Sequence, residues 1–230
     1  MAATAASVTP LYVGTSGFSY PSWRGGFYPP EARPRDFLRF YAERLPSVEL
    51  NTTFYGLPSE EQFRAWAEET PQRFRFAVKM SGRITHGGDL RLVATFTERV
   101  HALGERRGPV LVQFPPSRPR DDGLLRLVLD SLDPALAYAF EFRHGSWQDA
   151  AVEASLAAAR VVRANALEGA AEFRYFRLRD PPYDDAALRA WATRLQGLLA
   201  RGIAVYCYFK HEDAPAAPRY ARRLLELVSS

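Results

Sequence analysis

Lys79 and Lys210 are the only lysines among 30 Lys plus Arg residues, and Asn51 and Asn165 are the only asparagines. A chain this rich in Ala and Arg replaces surface Lys and Asn easily, so the four that persist mark positions where their chemistry is used. A lysine offers a compact positive charge for a phosphate or carboxylate. Among other cations it can also lose its proton near neutral pH and condense with a carbonyl as a Schiff base. An asparagine offers a donor and an acceptor that orient loops.

Carboxylates and further cations recur near these four. Glu49 and Asn51 are two apart, as are Glu141 and Arg143, so in an extended strand each pair shares one face. Glu49 and Glu141 are the acid/base candidates, with His144 as a second proton carrier. Lys79, Arg143, Arg177 and Lys210 form a candidate anion clamp. Thr15, Ser16, Gln113 and His86 add polar groups, and His211 follows Lys210. Bland readings stand beside these: Lys79 neutralising Glu49 or Glu141, or Glu141–Arg143 tying neighbouring strands. The stretch from Gly17 to Arg35 is long for a routine turn and carries Phe18, Tyr20, Trp23, Phe27 and Tyr28, as a ligand-covering lid, a base-stacking surface or a plug in the rim.

The elements that must position these residues alternate along the chain. Strand-like runs fall at 11–15, 47–51, 74–80, 109–114, 136–142, 160–165, 173–178 and 203–209, with helical patterns between them. Ser59 and Gln62 open one helix as a capping box; apolar stripes run through 121–132 and from Leu188 to Leu199 before Gly202. Eight strands with intervening helices predict an α/β fold, a single (β/α)8 TIM-like barrel. The sixth crossover is irregular, because Ala166–Glu172 is too short for a regular helix. All four rare residues fall at or just past the C-terminal end of a run, the mouth where βα loops build barrel active sites.

Bulk properties fit one domain over 10–230 behind a flexible tail, 1–9. The hydrophobic share is 47% and the charged share 24%, as in ordinary globular proteins. No apolar run approaches the ~18 residues of a membrane span, and the first residues do not resemble a secretory signal. Cys207 stands alone, which excludes an internal disulfide and fits a reducing, cytoplasmic location. The net charge of +4 makes anionic partners plausible without demanding them.

The ordered stretches GTSGFSYPSWRGGFYP (14–29), SVELNTTFYGLP (47–58), TP with FRFAVKM and ITH (70–86), VLVQFPP (110–116), FEFRHGSW (140–147) and VYCYFKHED (205–213) resemble the YecE-like family, domain-of-unknown-function family number seventy-two. The resemblance implies a barrel related to the triosephosphate-isomerase fold and supplies no substrate. Family-like positions are Thr15, Ser16, Trp23, Glu49, Asn51, Phe54, Tyr55, Lys79, His86, Gln113, Glu141, Arg143, His144 and Trp147. Two departures stand out. Many relatives carry Arg-Leu-His-Gly after strand seven, where this chain reads Arg177-Leu178-Arg179-Asp180, and Asn165 takes the place of an Asp that often ends strand six.

Three functions compete. The first is a barrel that binds or transforms a small phosphate- or carboxylate-bearing ligand, with no cofactor required. The second is nucleic-acid binding or metal-assisted phosphodiester cleavage, for which Glu49, Glu141, His86, His144 and His211 would be ligands, though no HxH pair ends a strand. The third is a non-catalytic partner-binding scaffold.

Overall fold

The computed structural model describes residues 9–210 and 214–230. Eight strands appear in the expected order: β1 (Leu11–Ser16), β2 (Ser47–Leu50), β3 (Arg75–Lys79), β4 (Arg107–Phe114), β5 (Tyr138–Phe142), β6 (Val162–Arg163), β7 (Phe173–Leu178) and β8 (Ala204–Phe209). All pairings are parallel, in the order β6-β5-β4-β3-β2-β1-β8-β7, so the sheet curls into a barrel with its seam between β6 and β7. The helices α1 (Phe37–Ala42), α2 (Thr52–Tyr55), α3 (Glu60–Glu68), α4 (Gly82–Thr85), α5 (Val93–His101), α6 (Asp122–Asp130), α7 (Ala150–Ala158) and α8 (Asp185–Ala200) occupy the crossovers, and α9 (Ala216–Ser229) follows β8. Among the described residues no helix is long and apolar enough to cross a membrane.

Period-two alternation sends successive side chains to opposite faces. Val48, Phe76, Val78, Val110, Val112, Phe140, Phe176 and Cys207 face the helices in the main core. Ala77, Leu111, Ala139, Tyr175 and Tyr208 fill the barrel interior. Small residues on β3 and β5 leave room for the two tyrosine rings, whose centroids lie 5.3 Å apart. Gly14 answers a similar demand: a Cβ there would stand 1.8 Å from the Ser47 carbonyl oxygen. The Tyr41 hydroxyl of α1 fits the same crowded corner, receiving the Thr15 N–H at 2.8 Å and donating to the Ser47 carbonyl at 3.0 Å.

Side chains cap the starts of α3 and α6, and at the first only one arm of the expected capping box forms. The Ser59 hydroxyl accepts the Gln62 N–H ahead of α3, and Asp121 accepts the Leu124 N–H ahead of α6. The sixth crossover holds no helix. Its carbonyls are gathered instead by Arg174, which points out of the barrel where a helix would otherwise pack. That guanidinium, 1% exposed, donates to the carbonyls of Leu167, Gly169, Ala171 and Phe173. Asn165 then bridges the seam: its N–H donates to the Tyr175 carbonyl at 2.8 Å, and its side-chain Oδ1 accepts the Arg177 N–H at 2.7 Å. Asn165 adopts φ 67°, a left-handed conformation that asparagine tolerates better than most residues.

Candidate functional site

Strand alternation delivers Ser16, Glu49, Lys79, Gln113, Glu141 and Arg177 from six strands to the C-terminal end of the barrel interior, one layer above Tyr175 and Tyr208. Arg177 lies at the centre. Its Nε donates to Glu49 Oε2 at 2.9 Å and its Nη2 to Glu49 Oε1 at 2.9 Å, a two-pronged contact. Its Nη1 turns to Glu141 Oε2 and, at 3.4 Å, to Gln113 Oε1. Glu49 is completely buried and also receives the hydroxyls of Ser16 at 2.8 Å and Tyr175 at 2.7 Å, and the Asn51 amide at 3.1 Å. Burial alone would raise the Glu49 pKa, but Arg177 and the three hydroxyl and guanidinium hydrogen bonds together hold it below the ordinary carboxylate value. Burial likewise works against the Arg177 charge, and Glu49 and Glu141 outweigh it.

Above this pair Lys79 and Arg179 have no ion-pair partner among the described residues, and Arg143 has only a loose one. Arg177, rather than Lys79, neutralises both carboxylates. Among the described residues Lys79 Nζ has no hydrogen bond or ion pair; it sits 4.0 Å from the centroid of the Phe54 ring. Burial, and then Arg177, bring its ammonium down to about 8 against the opposing pull of Glu49 and Glu141. Arg179, two residues past Arg177 and half-buried, also has no acceptor among the described residues. Burial and Arg177 again work against its charge. Arg143 stands at the rim, 3.8 Å from Glu141 Oε1. His86 packs edge-on against Phe54, and burial, Lys79 and Arg118 keep its ring pKa low. Tyr55, 87% exposed, also meets Phe54 edge-on.

Several other sequence candidates lie elsewhere. Thr15 faces α1, with its hydroxyl on the Gly17 carbonyl and the Tyr41 hydroxyl. Trp23 is fully buried among Tyr20, Phe27 and Tyr28, so the aromatic stretch packs the rim as a plug. His144 Nδ1 accepts the Ser146 N–H at 3.1 Å and pairs with the Ser146 hydroxyl, so the ring caps a local turn. Lys210 is exposed beyond β8, and His211 lies outside the described residues. Among the described residues no three His, Cys, Asp or Glu side chains converge as metal ligands.

Sequence reasoning passed over Tyr175 and named Arg179 at the end of the seventh run without giving it a role, although a signal for both exists. They stand two residues before and two after Arg177, so alternation places both on its face. A cavity of about 680 Å³ does not lie over the Glu49 network. It opens beside it, between the aromatic stretch and α3, bordered by Phe18, Tyr20, Leu38, Trp66 and also Asn51. A recess of about 410 Å³ opens at the ends of β5 and β6, bordered by Glu141, Arg143 and Asn165. The titratable groups mark the mouth as the chemically equipped region, whatever the relative volumes.

Known proteins share this architecture. A DUF72 family protein of Thermotoga maritima MSB8 superposes with a TM-score of 0.85 at 25% identity, over 96% of this chain and 100% of that one. A DUF72 family protein of Enterococcus faecalis V583 superposes with a TM-score of 0.79 at 17% identity, over 96% and 98%. In sequence, the chain is 36% identical over 140 residues to the UPF0759 protein YecE of Escherichia coli K12, covering 58% of this chain and 48% of that protein. It is 27% identical over 152 residues to the UPF0759 protein YunF of Bacillus subtilis, covering 60% and 52%. The alignments thus span about half the length of these curated relatives. The family described as "Protein of unknown function DUF72" matches residues 12–230, and the chain belongs to it.

Proposed function

We propose that the barrel mouth binds a small anionic ligand bearing a phosphate or carboxylate, with Lys79 and Arg179 as its principal contacts and Arg143 at the rim. The observation that carries this reading is the division of the cations. Arg177 occupies both buried carboxylates, which leaves Lys79 and Arg179 half-buried and without an ion-pair or hydrogen-bond acceptor among the described residues. An anion between them would supply the acceptors they lack. In this reading Glu49 and Arg177 form the rigid floor of the site, and neither serves as a freely exchanging acid, base or clamp. Glu141, which is less enclosed and borders the recess at β5 and β6, is the carboxylate closest to a ligand.

The test is a titration of the full chain with inorganic phosphate, phosphate esters and small carboxylates, followed by calorimetry and thermal shift. Arg179→Ala and Lys79→Ala are each expected to weaken binding about tenfold to a hundredfold, equivalent to about 1.5–3 kcal/mol for a charged hydrogen bond. Wild-type protein that responds to no anion, or variants that bind as well as wild type, would overturn the reading.

A second reading has one observation in its favour. Tyr55 presents a largely free ring beside the same cations, as a base-stacking residue would. Single-stranded DNA binding that falls steeply with salt and is lost in Tyr55→Ala would favour nucleic acid.

A further inference from the structure

We propose that Lys79 condenses with the carbonyl of an anionic oxo compound, such as a 2-oxo acid or a phosphorylated aldehyde, to form an imine at the barrel mouth. The inference rests on the anion-binding reading above and names the substrate class of that same site.

Three features of Lys79 support it. The side chain is fixed in direction, because β3 ends on it and Ala77, two residues earlier, faces the barrel interior. Its amine forms no ion pair among the described residues: Glu49 and Glu141, the nearby carboxylates, are both drawn to Arg177. Its charge is also disfavoured, with a pKa near 8, so roughly a tenth of the population is neutral amine at pH 7. Other nucleophiles on the neighbouring strands are committed or point away from the barrel axis. Ser16 Oγ donates to Glu49, the Thr15 hydroxyl is bound toward α1, and Cys207 is buried toward the helices with its thiol pushed far up.

The chemistry balances without a further reactant. The Lys79 ammonium loses a proton, its nitrogen adds to the carbonyl carbon, and a carbinolamine results. The former carbonyl oxygen takes up protons and leaves as water, while the C=N bond forms and keeps one proton as an iminium. Overall, an ammonium and a carbonyl give an iminium and one water. The positive charge is conserved, so the face of Phe54 stabilises reactant and product alike. Arg179 and Arg143 would hold the phosphate or carboxylate and so select anionic carbonyls over neutral ones.

The chain has only two lysines, so the site of reaction can be read directly. The full-length protein is incubated with pyruvate, with glyceraldehyde 3-phosphate, or with acetone as the uncharged control, then reduced with borohydride and analysed by intact mass and peptide mapping. The expected result is a reduced adduct on Lys79 with at least one anionic carbonyl, at least ten times the acetone yield, with Lys210 unlabelled as the internal control. The adduct is lost in Lys79→Arg, which keeps the charge and cannot condense. Equal labelling of the two lysines, or no label on Lys79 from either anionic carbonyl, would overturn the proposal. Lactate and inorganic phosphate, which carry the anion and lack the carbonyl, separate the two readings on wild-type protein. A thermal shift with these and no adduct from the oxo compounds overturns the imine alone; neither signal overturns the anion site as well.

Discussion

Asn165 Oδ1 accepts the backbone N–H of Arg177 at 2.7 Å, across the one seam of the barrel where neighbouring strands form no ladder. The side chain takes the part of a strand carbonyl, and in doing so holds in place the residue whose guanidinium joins Glu49 to Glu141. Fold closure and site geometry therefore meet at one amide.

Substituting that amide should be costly in a way that depends on the replacement. Asn165→Ala leaves a buried N–H without an acceptor and places a Cβ residue less suited to φ 67°. Together these should lower stability by about 2–4 kcal/mol. Asn165→Asp keeps an acceptor and tolerates the conformation, so it should lose less. Urea denaturation of the two variants decides the point; equal losses would mean that the acceptor is irrelevant.

The Glu49–Arg177 pair carries a pH signature. Because the Glu49 pKa lies below its ordinary value of 4.5, its contribution to stability is present above that pH and is lost as pH falls through the lower folded value. Arg177→Met reverses the sign, since burial then pushes the abandoned carboxylate up and proton uptake relieves it. The variant should be less stable than wild type by about 3–5 kcal/mol at pH 7. The gap should narrow as the pH falls toward 5, as measured by denaturant unfolding across pH.

Lys79 should show the opposite economy. Its folded pKa, about 8, lies below the ordinary 10.5, so the unfolded chain binds more protons between those values. Its contribution to stability therefore rises with pH across that window and is unfavourable at neutrality. Arg177 and Arg179 act against the ammonium, Glu49 and Glu141 for it. Lys79→Met should melt at a higher temperature than wild type at pH 7, with an advantage that shrinks toward pH 10. A saturating anion should erase that advantage by stabilising only the wild type.

The aromatic stretch should behave as a plug. The Gly26, Phe27 and Tyr28 N–H groups all donate to the Trp23 carbonyl around a fully buried indole. Their amides should exchange slowly with and without ligand, whereas a lid would exchange quickly until ligand bound. Trp23→Ala should lower stability by about 3–5 kcal/mol through the cavity it leaves.

Much of this architecture was legible in the chain itself. All eight runs became strands, because parallel barrel strands are apolar on the helix-facing side and end in polar residues at the mouth. The helix-free sixth crossover was legible too, since Ala166–Glu172 cannot hold a helix and still span from β6 to β7. So were the four rare residues: Lys79 ends β3, Asn51 and Lys210 follow β2 and β8, and Asn165 lies two past β6. Alternation within a strand is a local property: it put Asn51 beside Glu49 and Arg143 beside Glu141, and both pairs meet in the structure.

Only the tertiary structure decided which charges pair. Glu49 and Arg177 are 128 positions apart, and strand spacing alone cannot tell whether Lys79, Arg143 or Arg177 reaches a given carboxylate. Barrel closure brings β7 across the interior from β2, and the planar, two-pronged guanidinium then matches the Glu49 carboxylate as a single ammonium cannot. That choice strips Lys79 and Arg179 of partners and makes them the cations available to a ligand. Packing likewise decided the fate of Trp23 and His144, whose residue types suit a binding site but whose rings are used by the rim plug and a local turn. Residue type and period set which faces and strand ends are polar; long-range pairing, which depends on closure of the whole barrel, sets which of those polar groups remain free.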